Sequence, residues 1–167
     1  MATEQEVLAA AQAIRDAELV AFPTETVYGL GANALDPIAV AKIFELKERP
    51  RFDPLIFHIA SLDQLGGLVT AVPEMAQRLI DEFWPGPMSL VLPKDSQVPD
   101  IVTAGLGSVT VRCPLNEIAI RLIQAANRPI SAPSAGYAGQ WPSPRMNPKN
   151  NLCFKVFVSK GTPQPHG

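Results

Sequence analysis

Cysteine and histidine are scarce in this chain, and each shortage removes a class of chemistry. Two cysteines among 167 residues, Cys113 and Cys153, cannot build a multi-bridge framework. Cys113, directly after a strand-like run, reads as a small buried hydrophobe, and both are expected to be free thiols. Two histidines, His58 and His166, leave no Cys–His or Ser–His–Asp set and no metal-ligand spacing, so a protein nucleophile is not expected. No Walker A loop is present, so any nucleotide must be held by other means. No apolar run approaches the roughly 20 residues of a membrane span. The first residues, MATEQEVLAAAQAIRD, carry acids early and lack the basic-then-apolar order of a secretion signal, which makes the cytoplasm the expected location. A net charge of −2 argues against a surface devoted to nucleic-acid phosphates. Any basic site must be local.

What is present is an ordinary globular composition, 47% hydrophobic and 18% charged, in a length suited to one domain. Thr3 with Glu6 forms a capping box, and Val7, Leu8, Ala11 and Ile14 recur at helical spacing, predicting a helix over 4–17. Leu19–Phe22 reads as a buried strand ended by Pro23, followed by a Thr- and Gly-rich loop through Asp36. Asp36 and Pro37 make an N-cap and N1 pair for a helix that must stop near Arg49, because Pro50 disfavours helical geometry before it. Strands are expected at 55–59, 88–92, 108–112 and 129–132. Helices are expected at 73–83 and 116–126, and Ser61 with Gln64 suggests another cap. Interleaved helices and strands make an α/β or α+β domain with one twisted, mixed sheet, while the irregular 93–107 segment argues against strict βαβ repetition.

Composition changes near residue 136. Ten Lys and Arg stand against sixteen Asp and Glu before it; from Tyr137 onward there are four basic residues and no acid, with five of the 17 prolines. Residues 1–136 are therefore read as the domain and 137–167 as a basic, Pro-rich tail, in which only Leu152–Val158 suits a strand.

Several groups carry chemical potential. Pro23–Gly31 joins a buried strand to hydroxyls and backbone N–H groups, where α/β sheets present ligand contacts; Thr24, Glu25 and Thr26 serve equally well as turn caps. Lys47, Arg49 and Arg51 surround a helix end. They either complement its dipole or clamp phosphates, with Lys47 and Arg49 sharing one side of an extended chain. His58 sits in an apolar strand, as a structural histidine or a ligand. Arg112, leaving a sheet edge, suits either a carboxylate ligand or a surface ion pair. Ser131–Ala135 runs from a strand into small residues, as close backbone approach to a ligand requires.

Together FPTETVYGLGANAL, KIFELKERPRFDPLIFHIAS, WPGPMSLVL, VTAGLGSVTVR and PISAPSA stand in an order and spacing that resembles the Sua5/YrdC/YciO family. The resemblance implies a YrdC-like fold, a twisted mixed or mainly antiparallel sheet with helices around a deep cationic cavity. It implies L-threonylcarbamoyladenylate synthesis: L-threonine takes up bicarbonate, and the N-carboxylate attacks the α-phosphorus of ATP, releasing pyrophosphate, for threonylcarbamoyladenosine (t6A) in tRNA. By the same resemblance Thr26, His58, Arg112 and Ala132 would contact threonine, Ala132 through its backbone. Lys47, Arg49, Asp53, Ser108, Ser134 and Ser143 would face ATP, with Lys47 and Arg49 supplying catalytic charge beside Mg²⁺. Downstream tRNA-modifying transferase proteins are the implied partners, and RNA binding is the alternative activity. The chain departs from the pattern at Gly136, where the family's Ser-x-Asn would place Asn. The Ser-Thr-Val strand and closing Arg expected later do not follow, which suggests a truncated product, an altered reading frame or an alternative exon with weakened activity.

Overall fold

A computed structural model of the chain describes residues 2–24, 28–48, 53–133 and, as backbone, 155–157. Local signals set several element ends. Helix α1 (Glu4–Arg15) opens on the capping box: Glu6 N–H donates to Thr3 Oγ1 at 3.2 Å, and Thr3 N–H to Glu6 Oε2 at 2.7 Å. Strand β1 is Leu19–Phe22 and β2 is Gly29–Asn33. Helix α2 (Pro37–Lys47) starts where Asp36 accepts from the N–H groups of Ile38 and Ala39, at 2.9 and 3.4 Å. Strand β3 (Ile56–His58), helix α3 (Glu74–Phe83), strand β4 (Ser89–Pro93), the short helix α4 (Asp100–Thr103) and strand β5 (Ser108–Arg112) follow. Helix α5 (Glu117–Ala126), capped by Asn116, leads to β6 (Ile130–Ser131); β7 is Lys155–Phe157.

Among the described residues seven strands form one sheet, in the order β4-β5-β3-β6-β2-β1-β7. Of these described strands β3 and β5 run parallel, and the other neighbouring pairs are antiparallel. Strand alternation sends Leu19, Leu30, Ala32, Phe57, Val109 and Val111 to one face, beneath α2, α3 and α4. The other face sends Val20, Phe22, Ile130 and Ala132 against α1 and α5. Two layers of helix therefore sandwich the sheet, each fully buried Val, Ile or Phe contributing about 1.5–3 kcal/mol over exposure. The layer of α1 and α5 stops short of the β5–β4 end. On that face Ser89 and Val91 are exposed, Val91 to 66%, while Ser108 and Thr110 are half-buried.

Three sequence expectations change, and a fourth, the strand in the tail, holds. The run 29–33 is a strand, not part of a loop, because β1 and β6 flank it and supply its hydrogen bonds although GLGAN lacks β-branched residues. The 93–107 segment holds α4, pinned by Lys94, whose Nζ meets the Asp100 carboxylate and Thr103 Oγ1. Ser61 makes no side-chain cap; instead Gln64 Oε1 accepts from Ala60 N–H at 2.6 Å. In the tail, β7 lies within the 152–158 run and pairs antiparallel with β1.

Candidate functional site

The uncovered half-face of the sheet forms the floor of the candidate site. Because β5 alternates, Val109 and Val111 enter the core while Ser108, Thr110 and Arg112 line the open side. Register extends these positions into rows across neighbouring strands. Arg112 pairs with Ser89 on β4 and His58 on β3, and His58 with Ile130 on β6. Thr110 pairs with Val91 and Ile56, and Ser108 with Pro93. Residues distant in sequence thus meet at adjacent ladder positions.

Arg112 is not at a sheet edge and not on the surface. Strand β5 has a neighbour on each side, and Arg112 is only 8% exposed. Its Nε donates to the Gly86 carbonyl at 3.3 Å, while Gly86 N–H donates to the Cys113 carbonyl at 2.8 Å. A Cβ at Gly86 would lie 2.6 Å from the Phe83 carbonyl oxygen, so this close approach requires glycine. Burial lowers the Arg112 pKa without removing its charge. Burial likewise pushes the Cys113 thiol pKa up, leaving it an inert core group.

His58 is 4% exposed, its ring edge-on to Phe22 with centroids 6.0 Å apart and planes at 85°. Burial holds its pKa down to about 4, outweighing the opposing backbone groups of Ile130 and Ile56. The imidazole is neutral near pH 7, with one donor and one acceptor nitrogen, and Nδ1 is buried without a hydrogen-bond partner among the described residues. A buried polar atom left unmatched costs stability and is matched when a ligand polar group reaches it. Phe22 in turn lies over β2: a Cβ at Gly31 would stand 2.7 Å from Phe22 Cε1 and 2.6 Å from Ile130 Cγ2. The glycines of GLG therefore make room for the ring that braces His58.

Ala132 borders the same face, but its N–H already donates to the Ile56 carbonyl at 3.0 Å, so a backbone contact from Ala132 falls to its carbonyl. Asp53 is half-buried ahead of β3. Lys47 is buried at the end of α2, in the opposite helical layer. The extended-chain argument pairing it with Arg49 does not hold: Lys47 is helical and Glu48 adopts the left-handed conformation, φ 49°. Thr26, Arg49, Ser134, Gly136 and Ser143 lie outside the described residues.

The structure thus gathers His58, Arg112, Ser108 and the buried Ala132 about one face. Sequence reasoning passed over Phe22, Gly86 and Thr110; only Thr110 had a readable signal, the polar alternation of SVTVR. Among the described residues no group of three or more His, Cys, Asp or Glu could hold a metal ion, and no helix is long and apolar enough to cross a membrane.

The Sua5/YciO/YrdC family model, described as "Telomere recombination", matches residues 12–153. The chain is 57% identical over 141 residues to the threonylcarbamoyl-AMP synthase of Pyrococcus abyssi, covering 84% of this chain and 41% of that one. It is 49% identical over 142 residues to the threonylcarbamoyl-AMP synthase of Bacillus subtilis, with coverage of 84% and 41%. The fold superposes on P. abyssi Sua5 complexed with L-threonine with a TM-score of 0.81 and 55% identity, over 84% of this chain and 41% of that one. The chain spans about two fifths of the length of these relatives.

Proposed function

Because this chain belongs to the Sua5/YciO/YrdC family, we propose that it forms L-threonylcarbamoyl-AMP and pyrophosphate from L-threonine, bicarbonate and ATP, supplying the t6A modification of tRNA. One observation carries this most directly: the fold shared with a threonine-bound relative has His58 and Arg112 side by side on an open, half-covered sheet face. Arg112, buried and anchored through Gly86, holds the threonine carboxylate in a geometry that needs no reorganisation. Neutral His58 and the Ala132 carbonyl complete the amino-acid contacts with Thr26.

The reaction needs two anions aligned and charge placed on the phosphates, with no covalent help from the protein. Lys47 and Arg49 supply that charge, and Asp53, Ser108, Ser134 and Ser143 position the nucleotide. Mg²⁺ fits here as a passenger on the triphosphate, since the described residues offer no carboxylate cage; bound there, it would neutralise phosphate charge. The product passes to tRNA-modifying transferase proteins in the cytoplasm. Incubation with threonine, bicarbonate, Mg²⁺ and labelled ATP tests the proposal: pyrophosphate release that depends on threonine is the expected result, and its absence refutes the activity.

A second reading has a specific observation behind it. Gly136 stands in place of Asn, and the acid-free tail carries four basic residues, as in a nucleotide- or RNA-binding module that keeps the fold without turnover. Calorimetry showing ATP or RNA binding indifferent to threonine favours that reading.

A further inference from the structure

We infer that Thr110 is a substrate-contacting residue whose hydroxyl stands where the two halves of the reaction meet. The inference deepens the proposed function and rests on it. Ser108, Thr110 and Arg112 follow one another at alternate positions on the open face of β5, each about 7 Å from the next along the strand. If Ser108 faces the nucleotide and Arg112 the threonine carboxylate, Thr110 faces what lies between them: the N-carboxylate and the α-phosphate.

Three further observations support a ligand role over a packing one. Thr110 is half-buried on the side that α1 and α5 leave uncovered. Its hydroxyl makes no hydrogen bond to another described residue. Its row across the sheet is Val91–Thr110–Ile56, so this hydroxyl is the one side-chain polar group there, between the row of Ser89, Arg112 and His58 on one side and Ser108 on the other. A strand position asking only for a β-branched filler is satisfied equally by valine, whose shape is nearly that of threonine.

In the step served, a carbamate oxygen lone pair forms the new bond to the α-phosphorus. The bond from that phosphorus to the bridging oxygen breaks, and its electrons leave with pyrophosphate. No oxidant, reductant or enzyme-borne proton is consumed. Thr110 donates a hydrogen bond to an oxygen of the reacting pair and keeps its proton, an interaction strongest when the charge is being redistributed.

The test compares Thr110→Val with Thr110→Ser. Valine keeps the shape and removes the hydroxyl; serine keeps the hydroxyl and removes a methyl. The expected result is a kcat for threonine-dependent pyrophosphate release lowered roughly 10- to 100-fold in Thr110→Val, with KM for threonine and ATP within about twofold, and Thr110→Ser close to wild type. Wild-type kcat in Thr110→Val, or a serine variant as slow as valine, overturns the assignment while leaving the proposed function in place. If wild type binds both substrates without turning over, the readout is the tightening of threonine binding by ATP. Its loss in Thr110→Val alone supports the assignment, and its retention overturns it. A wild-type chain that neither binds threonine nor releases pyrophosphate overturns the functional proposal and the assignment with it.

Discussion

Replacing Gly31 with alanine tests the packing that braces the site. Carbon atoms in contact sit about 3.5–4.0 Å apart, whereas the new Cβ would lie 2.6 Å from Ile130 Cγ2 and 2.7 Å from Phe22 Cε1. The overlap is therefore about 1 Å on two sides. Neither neighbour can retreat into solvent, since Phe22 and Ile130 are both 0% exposed. Overpacking of this kind costs about 1–3 kcal/mol. Loss of glycine's freedom in the unfolded chain returns about 0.4–1 kcal/mol, leaving a net loss of about 1–2 kcal/mol. In urea the midpoint falls by on the order of 0.5–1 M. Gly66 is the control, with nothing within 4 Å of its Cβ position; Gly66→Ala stays within about 0.5 kcal/mol of wild type. Because the displaced ring is the one standing edge-on to His58, Gly31→Ala also weakens threonine binding and Gly66→Ala does not. Equal midpoints for the two variants would refute the packing argument.

Three other perturbations separate the roles of buried polar groups. Ser131→Ala removes a hydroxyl that is 0% exposed and has no hydrogen-bond partner among the described residues, so stability rises by about 1 kcal/mol in urea titration; a comparable loss would mean the hydroxyl is satisfied. His58, with a folded pKa near 4 against an ordinary 6.5, favours the neutral state on folding. Its contribution is whole above pH 6.5 and is lost as pH falls through 4, a change of about 3 kcal/mol. Wild type should therefore lose more stability than His58→Gln between pH 7 and pH 4.5, and parallel profiles would contradict the burial argument. Lys47→Ala and Arg49→Ala each weaken ATP binding by about 1.5–3 kcal/mol in calorimetry; normal affinity in both rules out a phosphate clamp.

How far the site could be read in advance depended on how local its cause was. Leu19–Phe22 and Ser108–Arg112 were legible to the residue, because apolar runs and alternation mark strands irrespective of their partners. The start of α2 was legible because Asp36 and Pro37 act on the next turn alone. The strand Gly29–Asn33 was not, since its glycines are there for Phe22 and Ile130, which come from other strands. Arg112 was misplaced to an edge for the same reason: a sequence names a strand but not its neighbours. Thr110 was passed over because an alternating threonine looks like ordinary strand chemistry until the helices are seen to leave its side uncovered.

By itself the sequence determined most of the helices and strands, the caps at Thr3, Asp36 and Asn116, and the family pattern, all of which rest on residue type and short spacing. Only the tertiary structure decided which face of β5 lies open, that His58 and Arg112 are neighbours, and that both are buried, lowering their pKa values. Those properties arise from strand order and from helices covering half a sheet, which are pairings between distant segments. Desolvation depends on what surrounds a group in space, and no short run of residues records that.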